Sequence, residues 1–238
     1  AVALFPTVNG DPYRFSVFAY YAVAPLRYFG PWIGTLLCAA AIRRPDPFHY
    51  SLLFLVGASV ALNNVDFGLA AWVGSLAAIV VSSRDSLFIS FHKVWRLVGN
   101  FIFSAGVVFA GFVLFTFFRS GNWPDLGRAL AFQRIFAVSG FGMLEMPAFG
   151  LHWVFFVTFM AAVCLSLVLR STPLHSGMLM FSGVFGSGVG SYYVGRSHRD
   201  VLGAVFPAWG FSLMLLVWAA FQSWKRSRPG SPERRRLL

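Results

Sequence analysis

The sequence predicts an all-α, polytopic transmembrane helix bundle of about seven spans, with an amphipathic helix lying in the interface on its outer face. Three observations carry that expectation. The 238 residues are 58% hydrophobic and only 11% charged, outside the balance of a soluble domain, and 28 phenylalanines and 8 tryptophans suit lipid contact and interfacial anchoring. Apolar runs approach the ~20 residues that cross a hydrocarbon core. The few charged residues, arginines above all, collect at the ends of those runs. Ionisable groups held near lipid are costly, so such clusters need a reason.

Taken in order, the candidate spans are Val17 to Ile42, His49 to Leu62, Phe67 to Val81, Leu97 to Phe118, Leu151 to Leu169, Gly177 to Val194 and Val201 to Trp224. The first is interrupted by Pro25, Arg27, Gly30 and Pro31, which predicts a re-entrant piece followed by a short helix. Only Asn63, Asn64, Val65 and Asp66 separate the second and third, which together are too long for one crossing. They read as a tight helical hairpin, with Asp66 placed to cap the helix beginning near Phe67. The sixth carries Gly183, Gly186, Gly188 and Gly190, a pattern that permits close helix packing rather than a dinucleotide fingerprint, since no strand precedes it.

Between the fourth and fifth spans, the stretch from Pro124 to Val138 alternates Leu126, Leu130, Phe132, Ile135 and Phe136 with Arg128, Gln133 and Arg134 at helical spacing. Pro124 and Asp125 suit a helix start. This is the expected interfacial helix, followed by a return through Gly140, Gly142, Met143, Met146 and Pro147.

Loop charge sets the orientation. One side carries Arg43, Arg44, Arg84, Lys93, Arg96, Arg170 and the tail from Lys225 to Arg236, twelve basic residues against seven on the other side. The richer side is expected to be cytoplasmic in a multi-pass cell-membrane protein. The opposite face, with Arg14, Arg27, Arg119, Arg128, Arg134, Arg196 and Arg199, is then extracytoplasmic and unusually rich in arginine, which points to an anionic ligand. Residues 1–224 read as the membrane domain and 225–238 as a disordered basic cytoplasmic tail. That tail accounts for much of the net charge of +11, and a tail of this kind suits anionic lipid, not nucleic acid. The first residues show no signal-peptide pattern, so the chain reads as the C-terminal part of a larger protein.

The polar residues of the outer ends are the candidate site. Asn63, Asn64 and Asp66 offer amides and a carboxylate to hydroxyls. Tyr192, Tyr193, Arg196, His198 and Arg199 crowd one short loop, where guanidinium forks match phosphate oxygens and His198 adds a donor or moves a proton. Arg134 and Glu145 stand on the outer segment, where an exposed ion pair is the plainer reading. Cys38 and Cys164 lie inside apolar runs, and His49, His92, His152 and His175 are scattered over both faces. Neither a metal site nor another cofactor is expected. No zincin, CxxC, P-loop or nucleophile-elbow motif occurs, and the spans carry almost no mid-depth ionisable residue of the kind that pumps and channels use.

The run from Asn63 to Leu69, the turn from Phe141 to Pro147 and the loop from Tyr192 to His198 together resemble the C-terminal half of large actinobacterial membrane proteins of the GT-C type. Those are glycosyltransferases that take sugars from polyprenyl-phosphate donors at the outer membrane face. The resemblance implies as partners membrane lipid, a polyprenyl-phosphate-linked sugar, and a glycan or lipid acceptor of the cell envelope. It places the family's catalytic carboxylate upstream of Ala1, which leaves Asp66 a secondary candidate. Two other readings stay open: a transporter or flippase of a lipid-linked saccharide, needing access from both faces, and a non-catalytic scaffold subunit, needing no polar outer cluster.

Overall fold

The computed structural model describes residues 17–83, 90–127, 131, 138, 146–169, 172–194, 197 and 199–227, with side chains from residue 28 onward except at 199–200 and 226–227. The described residues include seven α-helices: α1 (Val17–Arg43), α2 (Pro47–Asn63), α3 (Ala70–Ser82), α4 (Phe91–Ser120), α5 (Leu151–Val168), α6 (Pro173–Val194) and α7 (Arg199–Ser227). A single π-helical turn, Val65–Leu69, opens α3. The fold is all-α, as expected.

Among the described residues, four segments are long and apolar enough to cross a membrane: Val65–Ser82, Phe91–Ser120, Leu151–Val168 and Val201–Lys225. They support a membrane location. α2 is apolar but shorter, at 17 residues. α6 is long enough but owes its composition to its place at the centre. It packs on α1, α3, α5 and α7, and its buried residues include Ser176, Gly177, Ser182, Gly183, Gly186 and Gly190. Small side chains let neighbouring backbones approach. At Gly183 an added Cβ would lie 2.8 Å from the Phe159 carbonyl oxygen of α5, so this packing leaves no room for a side chain.

The hairpin between α2 and α3 is present and depends on the same device. Asn64 takes an extended conformation (φ −147, ψ 97) that breaks the helix between the two arms. Beyond it Gly68 rests directly on the Val60 carbonyl, and Trp72 of α3 lies over Gly57 of α2. Trp72 then stacks on Phe101 of α4, with ring centroids 3.7 Å apart. Ser51 and Asn100 add a polar link, Asn100 Nδ2 donating to Ser51 Oγ at 3.1 Å.

Two local expectations are corrected. α1 runs unbroken through Pro25, Gly30 and Pro31 instead of dividing into a re-entrant piece and a short helix. Proline removes one backbone donor, but in an apolar bundle neighbouring elements and hydroxyl side chains offset that loss. Here Pro31 is fully buried among packed neighbours. The hairpin cap is Asn64, not Asp66: Asn64 Oδ1 accepts from the Phe67 N–H at 3.5 Å, while Asp66 lies inside the π-turn. The π-turn begins one residue before Asp66, so the capping position falls to the asparagine.

α4 is barely covered by the rest of the chain. Only Leu97 and Ser104 are buried on it, while Phe103, Phe115 and Phe118 are largely exposed. At 30 residues it is about 45 Å long, more than the hydrocarbon thickness. An apolar surface of this extent suits lipid contact. Most of the expected interfacial helix, including Arg134, lies outside the described residues, as does 228–238 of the expected tail. α7 carries Lys225 and continues to Ser227.

Candidate functional site

The polarity of the bundle decides which polar residues meet. Gly177 at the start of α6 packs against Ile42 and Ser82, whereas Gly188, near its end, packs against Ala70. α3 and α6 therefore run antiparallel, and the bend between α2 and α3 lies at the same end as the end of α6. Ring contacts join them there. Tyr28 of α1 meets Phe67 edge-on at 4.9 Å, and Phe67 meets Tyr192 at 5.8 Å. Tyr193 stacks on His152, at the start of α5, at 5.5 Å. The hairpin bend, Tyr192 and Tyr193 are thus brought together.

The members of the bend point differently. Asn64 is only 5% exposed. Its N–H donates to the Val60 carbonyl at 2.9 Å, and its own carbonyl accepts from Gly68 at 2.7 Å. Together with the cap, these bonds commit Asn64 to the turn. Asn63 and Asp66 are exposed at the bend. Asn63 also lines an apolar cleft of about 370 Å³, together with Gly30 of α1, Val56, Ser59 and Val60 of α2 and Val108 of α4.

Among the loop residues, Ser197 Oγ donates to the Tyr193 carbonyl at 3.2 Å, fixing the chain just past α6. Arg196, His198, Arg134 and Glu145 lie outside the described residues, and of Arg199 only the backbone is described, as the first residue of α7.

Sequence reasoning passed over His152. It is 1% exposed, and its Nε2 has no hydrogen-bond partner. An unpaired buried polar atom costs about 1–3 kcal/mol, so most folds either satisfy it or replace it. The available signal was a lone histidine in the first turn of an otherwise apolar span. Trp72 Nε1, on α3, and Ser104 Oγ, on α4, are likewise buried and unpaired.

At the opposite end Asp46 caps α2. Its Oδ1 accepts from the His49 N–H at 2.9 Å and its Oδ2 contacts His49 Nδ1 at 2.7 Å. The backbone bond, more than any other influence, holds the Asp46 carboxyl below its usual value. Cys38 and Cys164 are free thiols.

No family model matches the chain, and neither a curated protein nor a solved structure was found to match it.

Proposed function

We propose that the chain is a glycosyltransferase, or the C-terminal portion of one, embedded in the membrane by seven crossings and moving a sugar from a polyprenyl-phosphate donor to an envelope glycan or lipid at the outer face. The observation that carries this reading is the meeting of the hairpin bend with the end of α6, through the Phe67–Tyr192 pair. It sets exposed Asn63 and Asp66 near the point from which Arg196, His198 and Arg199 follow in sequence. The resemblance of these same segments to GT-C enzymes supports the reading too.

In this mechanism Arg196 and Arg199, with Arg134 from the interfacial helix, hold the donor phosphate and neutralise the charge that grows as it leaves. His198, Tyr192 and Tyr193 orient the donor head, while Asn63 and Asp66 meet hydroxyls. The cleft beside Asn63 is apolar and formed by three helices, which suits an isoprenoid chain lying between them. The base that activates the acceptor hydroxyl is not assigned to any described residue.

The test is sugar transfer by the purified protein from a radiolabelled polyprenyl-phosphate sugar. Arg196→Ala should reduce turnover or donor binding by about 1.5–3 kcal/mol, roughly ten- to a hundredfold. Arg196→Lys should recover only part, since an ammonium lacks the planar fork. Wild-type turnover in Arg196→Ala would remove this residue from the donor site.

A further inference from the structure

At the start of α5, two features coincide. The helix begins at Leu151 with Gly150 as its N-cap, a residue with no side chain to cap it, and the Trp153 N–H reaches the Gly150 carbonyl at 3.3 Å. One residue further on, His152 keeps an unpaired Nε2 at 1% exposure. The imidazole is fixed from two sides, stacked on Tyr193 at 5.5 Å and tilted against Trp153 at 5.2 Å. Its Nδ1–Cε1 edge lies under Gly150, where an added Cβ would come within 2.9 Å of Nδ1 and 3.1 Å of Cε1. The chain that covers this edge therefore presents bare backbone there. Tyr193 in turn accepts from Ser197, tying the imidazole to the loop after α6.

The chemistry of the missing partner is restricted. Nε2 donates in one neutral tautomer and accepts in the other. A hydroxyl satisfies both, whereas a phosphate oxygen satisfies only the donor. The surroundings are aromatic, and burying phosphate charge among rings costs far more than burying a neutral hydroxyl. A site built to bond a hydroxyl also discriminates strongly, because a ligand lacking it leaves the buried group unpaired.

We propose that His152 Nε2, at the junction of α5 and α6, is a binding subsite for a saccharide hydroxyl. This rests on the transfer reading above and deepens it, by naming a residue that recognises the sugar of the donor and not its phosphate. His152 is a recognition residue with no share in the proton transfers.

The test compares farnesyl phosphate with farnesyl phosphate carrying mannose, glucose or arabinose. Binding to the full chain in lipid nanodiscs is followed by native mass spectrometry. His152→Phe keeps a flat ring against Tyr193 but removes the unpaired nitrogen, so the protein should melt no lower than wild type. It should bind the preferred sugar-bearing probe at least tenfold more weakly and farnesyl phosphate unchanged. His152→Gln, which keeps a polar group, should recover part of the loss. Equal binding of the sugar-bearing probe by wild type and His152→Phe would overturn the subsite while leaving the transfer reading intact. So would a loss shared by both probes together with a lower melting temperature, which makes the histidine structural. Failure of wild type to bind any probe would end the transfer reading, and the subsite with it.

Discussion

Asp46 and Asn64 do related work at opposite ends of α2, and the physical reason differs. Asp46 precedes Pro47, and an acceptor followed by a proline in the first turn already specifies a helix start in the sequence. Its carboxyl is held below the usual value, chiefly by the His49 N–H. A folded-state value lower than the unfolded one gives a contribution that is fully present above the unfolded value, ~3.9. It is lost as pH falls through the lower folded value. Asp46→Ala should therefore melt below wild type at neutral pH, and the gap should close on acidification below about pH 4. Thermal melts of both proteins across that range decide the matter; a gap that stays constant would show that the carboxylate charge plays no part. Asn64 offers a neutral amide to the bend and is committed to it. Asp66, two residues on, is the cap that the sequence predicts. What separates them is where the turn begins, and a π-turn cannot be read from a four-residue polar run.

At the scale of elements, the hairpin was legible and the first helix was not. Asn63, Asn64 and Asp66 interrupt a long apolar run, and polar turn residues in such a run have few places to go but a membrane surface. Prolines and glycines gave the opposite lesson in α1. In water they end helices, but α1 runs through Pro25 and Pro31 without a break, and Pro31 is buried beside packed neighbours. The glycines of α6 were readable as packing positions, and their neighbours on α3 and α5 bear this out. Gly68 was not singled out, although the hairpin needs it: a Cβ there would collide with the Val60 carbonyl and the Ala61 backbone. Neither obstacle is the flexible end of a side chain. Gly68→Ala should cost about 1–3 kcal/mol, the usual cost of overpacking, and separate the two arms. Gly106 on α4 faces open space, so Gly106→Ala serves as the control and should melt close to wild type. Equal melting of both variants in detergent would show that the close approach of α2 and α3 is not required.

For the whole molecule, the sequence put the hairpin bend and the end of the sixth span on one face, and the antiparallel pairing of α3 with α6 brings these two elements together. Phe67, Tyr192, Tyr193 and His152 meet at one end, and Ile42, Ser82 and Gly177 at the other. His152 itself was not readable as a partner of Tyr193, because their contact depends on the pairing of α5 with α6. Which end faces outward is a question of charge. The end with Arg43 and Lys225 belongs to the richer set of twelve basic residues, and basic flanks resist translocation. The loop carrying Ser197 is then predicted to be external and the segment carrying Ser231 cytoplasmic. Cysteines introduced singly at these two serines test this in intact cells, after replacement of Cys38, which is buried, and Cys164, which is exposed. An impermeant thiol reagent should label the Ser197 position and reach the Ser231 position only after permeabilisation. The reverse pattern would put the arginine-rich loop in the cytoplasm and exclude a donor bound from outside. Labelling of both positions in intact cells would mean that an odd number of crossings does not separate them, and would overturn the seven-crossing arrangement.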